Sequence, residues 1–203
     1  MSATFRGFSV CTALGRVMTP RPATEQLVDV TLELVDGRHA RVADVGTGSG
    51  AVAIAIAGAA PNVHVWATDA SRDAVALARR NVQRHGLTGR ITVSHGDLLE
   101  PVPGPIDLVV ANLPYLPSGR AASFPDLAGE PNEAVFAAGD GLEPYRRLLR
   151  ACALRLGPGG AVAIQLHRRV LAAHREELQL LRAEIERVQE AVISSVSPLR
   201  TAA

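Results

Sequence analysis

The apolar positions of this chain repeat at two different spacings. Short runs in which almost every residue is apolar or small, around Arg41-Val42-Ala43 and over 63–68, 91–94, 106–111 and 161–166, predict strands buried on both faces. Between them the apolar residues recur at helical intervals. Thr24–Val35 carries Leu27, Val30, Thr31 and Leu34 on one stripe, with Gly37 just past its end. A second helix follows from Ala51, and a third opens at Ser71 with Asp73 in its first turn and closes at Gly86. Asp140-Gly141-Leu142-Glu143 predicts a capping box for a helix to Leu156, stopped by Gly157-Pro158, and Leu171–Glu190 predicts one long helix with Leu178, Leu181, Ile185 and Val188 inward. Residues 1–23 alternate as a hairpin would, and Pro20-Arg21-Pro22 forces an extended approach to the first long helix. Residues 116–139 show no periodicity and predict a lid or substrate loop; Ala191–Val196 predicts a last edge strand. Strands alternating with helices imply an α/β fold, a mostly parallel twisted sheet with helices on both faces, and ligands at the C-terminal rim of the strands. The 203 residues read as a single domain, without repeats, whose first 40 residues lead into the core.

Composition narrows the chemistry. Twenty-one basic residues balance 20 acidic ones, so no overall field gathers nucleic acid or a membrane surface. Every Lys-or-Arg position is arginine, which removes a lysine base or Schiff base from consideration. Cys11 and Cys152 are too few and too far apart for a metal cluster or a disulfide framework, so a reducing cytoplasm and a metal-free site are expected. No leader pattern opens the chain, and no apolar run reaches the ~20 residues of a bilayer span.

The candidate chemistry lies at the predicted strand ends. Asp44-Val45-Gly46-Thr47-Gly48-Ser49-Gly50 joins the first core strand to a helix. Glycines at 46, 48 and 50 let a ligand approach bare backbone, and the helix N-terminus adds unpaired N–H groups. The G-x-G-x-G spacing differs from the G-x-G-x-x-G of pyrophosphate sites, and Asp44 beside it suits a ligand with ammonium or sulfonium charge, which S-adenosylmethionine carries. Asp69, followed by Ala70, ends the next strand at the interval where a carboxylate meets ribose hydroxyls. Asp97-Leu98 follows the third strand, where the carboxylate would accept from an adenine amino group. The fourth strand runs into Asn112-Leu113-Pro114-Tyr115.

Together these segments resemble the cofactor motifs of class I S-adenosylmethionine-dependent methyltransferases, and Asn112-Leu113-Pro114-Tyr115 resembles their Asn-Pro-Pro-Tyr motif for planar amide or amino acceptors. Val17-Met18-Thr19-Pro20-Arg21-Pro22-Ala23-Thr24-Glu25 is similar to the Pro-Arg-Pro-x-Thr-Glu entry of the HemK (PrmC) glutamine methyltransferases. Glu130–Phe136, Gly139–Leu142 and Tyr145-Arg146 resemble their downstream signature. The resemblance implies a Rossmann-like class I fold, S-adenosylmethionine as cofactor, and the Gly-Gly-Gln glutamine of a peptide-chain release factor as acceptor. Chemically, an amide nitrogen is a poor nucleophile that must be held in line with the methyl group, ~3–3.5 Å away. Asn112 Oδ1 and the Leu113 carbonyl are expected to accept its two N–H groups, Pro114 to stiffen the turn, and Tyr115 to form a flat wall.

The chain also departs from that family. Its opening is expected to correspond to the point where that family's helical N-terminal domain ends; it has Leu113 where proline is usual, and Gln165-Leu166-His167 where the fifth strand ends in an acidic residue and Gly. The final hairpin is poorly matched, which leaves oligomerisation through the C-terminal segment open. An adenine-N6 or small-molecule amine methyltransferase, or a cofactor-binding subunit without turnover, fits the same motifs.

Overall fold

The computed structural model describes residues 1–127, 129–189 and 200–202. β1 (Ser2–Phe5) and β2 (Phe8–Cys11) form an antiparallel hairpin. Arg6 and Gly7 at its tip both have positive φ, 46° and 82°, as the twist of a two-residue hairpin turn demands. After a turn at Pro22–Thr24 come α1 (Glu25–Val35), β3 (Ala40–Val45), α2 (Ala51–Ala59), β4 (Val63–Asp69), α3 (Arg72–Arg84), β5 (Ile91–His95) and β6 (Ile106–Ala111). The second half holds β7 (Leu116–Pro117), α4 (Asn132–Val135), β8 (Phe136–Ala137), α5 (Glu143–Arg155), β9 (Leu156–Gln165), α6 (Arg168–Ala173), α7 (Arg175–Gln189) and β10 (Arg200–Ala202).

Six strands form the main sheet in the order β10-β9-β6-β3-β4-β5, and every neighbouring pair is parallel. The chain moves outward from β3 through β4 to β5, then returns to β6 and continues the other way. The β3/β6 boundary is therefore the topological switch point, where a crevice opens at the carboxyl ends. Alternating side chains divide the interior. Val42, Val65, Val110 and Ala163 join the core beneath α1, α2 and α3, while Ala43, Val45, Val109, Val162 and Ile164 join the core beneath α5 and α7. Ala51 to Ala57 of α2 are buried without exception. The hairpin covers the helix's outer side, and Phe8 fills the space where a Cβ on Gly58 would stand only 2.3 Å away. A helix apolar all round needs such a second cover.

Three expectations are corrected, and residues 116–139, expected as a lid or substrate loop, carry short elements of their own. β7 pairs with β8, turns fill 118–127, and Phe124 meets Phe136 at 6.4 Å between ring centroids; short turns rich in Pro and Gly leave no periodic trace. The capping box does not form. α5 starts at Glu143 without a side-chain cap from Leu142, and Asp140 instead accepts from the Leu142 N–H (3.1 Å) and from Arg146. The single helix expected over 171–190 is two, broken at His174, whose ring leans toward Glu177 at 3.6 Å. β9 begins at Leu156, directly after α5, because Gly157-Pro158 stops the helix yet extends the chain along β6. The expected strand over 191–196 lies outside the described residues; the edge strand recorded is β10.

Candidate active site

The crevice at the switch point is a cavity of about 530 Å³. Its walls bring together Asp44, Gly46, Thr47, Gly48, Asp69, Ala70, Asp97, Leu98, Asn112, Leu113 and Pro114. Two expected site residues stand off it. Gly50 caps α2 at φ 81°, and a Cβ there would press on Ala78 of α3 at 3.2 Å, so its role is helix packing. Tyr115 is not among the residues lining the cavity; its ring packs, partly buried, against the core beneath α5, 6.5 Å from the Tyr145 ring.

The glycine turn is shaped by what replaces the missing side chains. At Gly46 a Cβ would lie 2.7 Å from Leu113 Cδ2, so the turn and the Asn112-Leu113 corner interlock. At Gly48 a Cβ would meet only Val17, at 3.8 Å. The bare backbone expected to face a ligand is thus that of Gly48, at φ 56°. Thr68 fixes the turn from beneath: its carbonyl accepts from the N–H groups of Gly46 and Thr47 (2.9 Å each), and its hydroxyl donates to the Leu98 carbonyl (2.7 Å). That last bond holds Leu98 at φ 46°, a conformation that costs a leucine ~1–2 kcal/mol. Asn81 of α3 ties the hairpin to the same turn, bonding both the N–H and the carbonyl of Cys11 and the Ser49 carbonyl.

Two carboxylates converge on the turn. Asp44, 2% exposed, accepts from the Thr47 hydroxyl at 2.6 Å. Burial pushes its pKa up to about 6, and the nearby Asp69 charge adds to that rise. Asp69 accepts from the Gly48 N–H and the Ser71 N–H, both at 2.9 Å, and burial raises it as well. Two desolvated acids that repel one another favour a cation between them, while the second lone pair on each Asp69 oxygen remains open to a hydroxyl donor. The residues present therefore fit a positively charged nucleoside. Asp97 is placed at the expected end of the cavity, but Arg147 of α5 pairs with it there. An adenine amino group must share Asp97 with that guanidinium.

At the opposite wall, Asn112 Nδ2 donates to Thr24 Oγ1 at 3.2 Å, which leaves Asn112 Oδ1 as the free end of the amide. Leu113 is clamped from behind. The fully buried Tyr145 hydroxyl accepts from the Leu113 N–H (2.9 Å) and lies 3.1 Å from its carbonyl and 2.7 Å from that of Gln165. One hydroxyl hydrogen serves one of these carbonyls at a time, so a lone pair on the Leu113 oxygen stays available. Burial raises the Tyr145 phenol well above its ordinary value, and it remains a neutral clamp. Sequence reasoning missed Thr68, Asn81, Arg147 and the part played by Tyr145, because none of them lies in a glycine turn or is a carboxylate at a strand end.

Asp140, His174 and Glu177 gather within 4.8 Å of one another away from the cavity. Arg146 already occupies the middle of that group, donating to Asp140 (2.6 Å) and Glu177 (2.8 Å), so a cation's place is taken by a guanidinium.

Residues 22–124 match the family model described as the methyltransferase small domain. Similar curated proteins include the release factor glutamine methyltransferase of Gloeobacter violaceus, 41% identical over 154 residues, covering 74% of this chain and 54% of that protein. The same-named protein of Deinococcus radiodurans is 41% identical over 157 residues, covering 76% and 56%. The chain thus spans about half the length of the curated relatives it matches. Among solved structures, a ribosomal protein L11 methylase from Lactobacillus delbrueckii subsp. bulgaricus has a TM-score of 0.57 at 25% identity, covering 84% of this chain and 72% of that one. A human methyltransferase 10 domain containing protein reaches 0.61 at 19% identity, covering 86% and 78%, a likeness of fold alone. With the parallel sheet, the switch-point cavity and a match running from the turn before α1 past the Asn112-Leu113-Pro114 corner, the chain belongs to the methyltransferase small domain family.

Proposed function

We propose that this protein is an S-adenosylmethionine-dependent N-methyltransferase whose acceptor is a glutamine side-chain amide of a protein, a peptide-chain release factor in the cytoplasm being the leading candidate. The observation that carries the reading is the meeting, in one cavity, of the Asp44–Asp69 carboxylate pair and the Asn112-Leu113-Pro114 corner. The names of the curated relatives favour glutamine over adenine as acceptor. S-adenosylmethionine, when bound, supplies a methyl group on a cationic sulfur.

The chain's own residues do the rest. Asp69 takes the ribose hydroxyls, the Asp44 side receives positive charge, and Gly48 admits the ligand to the backbone. Asn112 Oδ1, aimed by Thr24, accepts one N–H of the substrate amide, and the Leu113 carbonyl accepts the other. These two acceptors hold the nitrogen toward the cofactor and favour the positive charge that develops on it. Pro114 keeps a competing N–H out of the corner. No strong base is needed, since the nitrogen's proton becomes acidic as the new bond forms, and solvent takes it.

The test is methyl transfer from labelled cofactor into purified release factor and, separately, into total RNA, with the label located by mass spectrometry. The expected result is a methyl group on the glutamine side-chain nitrogen of the Gly-Gly-Gln motif. Label confined to adenine amino groups would overturn the assignment.

A further inference from the structure

Two acceptors account for the N–H groups of a primary amide but leave its carbonyl oxygen without a partner. An unpaired amide carbonyl in a closing cavity costs free energy comparable to a lost hydrogen bond. A donor on the same cavity wall would complete the set.

Among the described residues, two buried side-chain polar atoms have no hydrogen-bond partner: Arg21 Nε and Gln165 Oε1. Gln165 does not line the cavity, and its orphan is an acceptor, so it cannot meet a carbonyl. Arg21 lines the cavity, and its orphan is a donor. It lies three residues before Thr24, the residue that aims Asn112, and its charge is felt by the Tyr115 phenol at the other end of the acceptor corner. Its one ion pair among the described residues is loose: a single 3.4 Å contact from Nη2 to Glu130, a carboxylate whose side chain is only 7% exposed. A guanidinium normally meets a carboxylate with two short parallel bonds. Here 38% of the Arg21 side chain remains exposed, which leaves it room to adjust. Glu130 also accepts from the Thr19 N–H at 3.0 Å, so it keeps one hydrogen bond when Arg21 reorients. This is the looseness expected of a ligand-free site whose bonds tighten when substrate enters.

We propose that Arg21 donates to the carbonyl oxygen of the acceptor amide, so that the corner reads a whole carboxamide and not its N–H groups alone. Arg21 and the Asn112-Leu113 pair then grip opposite edges of one planar group. This fixes its rotation about the side-chain bond and turns the nitrogen toward the cofactor. The inference rests on the glutamine reading above.

The experiment compares two proteins, release factor with its Gly-Gly-Gln glutamine and the same protein with methionine in that place, which keeps length and volume but has no amide. Their affinities are measured by calorimetry for the wild-type enzyme, Arg21→Met and Arg21→Lys, alongside kcat and KM for transfer to the glutamine form. The expected result is that Arg21→Met lowers the preference for glutamine over methionine about tenfold, the size of one charge-assisted hydrogen bond. Affinity for the methionine form and for S-adenosylmethionine stays within about threefold, and Arg21→Lys restores part of the preference. If Arg21 only braces the 19–21 segment against Glu130, both release factors lose affinity equally and the preference is unchanged, which overturns the proposal. The double variant Arg21→Met, Glu130→Gln relieves the buried carboxylate and must show the same drop in preference. Absence of any transfer to release factor by the wild-type enzyme sinks the glutamine reading itself. Transfer with an unchanged preference sinks only the part given to Arg21.

Discussion

If Asp44 meets the cofactor's positive charge as proposed, it is the residue on which ligand binding and protein stability pull in opposite directions. Burial pushes its carboxyl pKa up to about 6, from the ordinary 3.8. The folded protein therefore keeps this proton over a range in which the unfolded chain has released it. Stability of the ligand-free protein should be fully present below about pH 4, decline between pH 4 and 6, and level off above, a loss of roughly 3 kcal/mol for a shift of this size. A cationic ligand needs the ionised form, so its affinity should run the other way. It should strengthen by about tenfold from pH 5 to pH 7 and then flatten. Asp69, raised in the same direction by burial, acts with the same sign. Asp44→Asn should remove most of both dependences; calorimetric titration across pH with the two proteins checks this, and matching flat profiles would contradict the account. Asp44 and Asp69 were legible in the sequence because chain position alone puts a carboxylate at a strand tip. Thr68 was not. A threonine next to an acidic strand end looks like strand filler until the fold shows its carbonyl beneath the glycine turn and its hydroxyl on Leu98.

At the scale of elements, the strands and helices of the parallel sheet follow the hydrophobic spacing closely, since burial on both faces leaves little choice of residue type. What spacing does not reveal is how one loop fits another. The glycines of the turn looked equivalent, yet each answers a different neighbour: Leu113 for Gly46, the open cavity for Gly48, Ala78 for Gly50. That difference can be measured. Gly46→Ala places a Cβ 2.7 Å from Leu113 Cδ2, so the Leu113 side chain must shift in addition to the cost of a positive φ; it should weaken cofactor binding and transfer together and lower stability by about 2–4 kcal/mol. Gly48→Ala has room for its Cβ and pays chiefly for a positive φ, about 1–2 kcal/mol. Denaturant unfolding of the two variants gives the order, and a Gly48→Ala protein less stable than Gly46→Ala would show that the two loops do not interlock. Residues 116–139 and the break at His174 escaped the sequence for a related reason. Turns built on Pro, Gly and local ion pairs carry no period.

For the whole molecule, the arrangement divides the labour across the switch point. The β3–β4–β5 half supplies the carboxylates and glycine turn. The β6–β9 half, backed by α5 through Tyr145 and Arg147, supplies the Asn112-Leu113 corner and one partner for Asp97. The N-terminal segment closes the remaining side through Thr24 and Arg21, joined to the 130 region by Glu130. Such a division makes the two halves separable by mutation. The most direct test is therefore to measure S-adenosylmethionine affinity and single-turnover methyl transfer to release factor side by side in wild type and Asn112→Ala. The account predicts an affinity within about threefold of wild type and a transfer rate lower by ~10²–10³, the cost of one lost transition-state hydrogen bond. Undiminished transfer, or a loss of cofactor binding as large as the loss of rate, would contradict it.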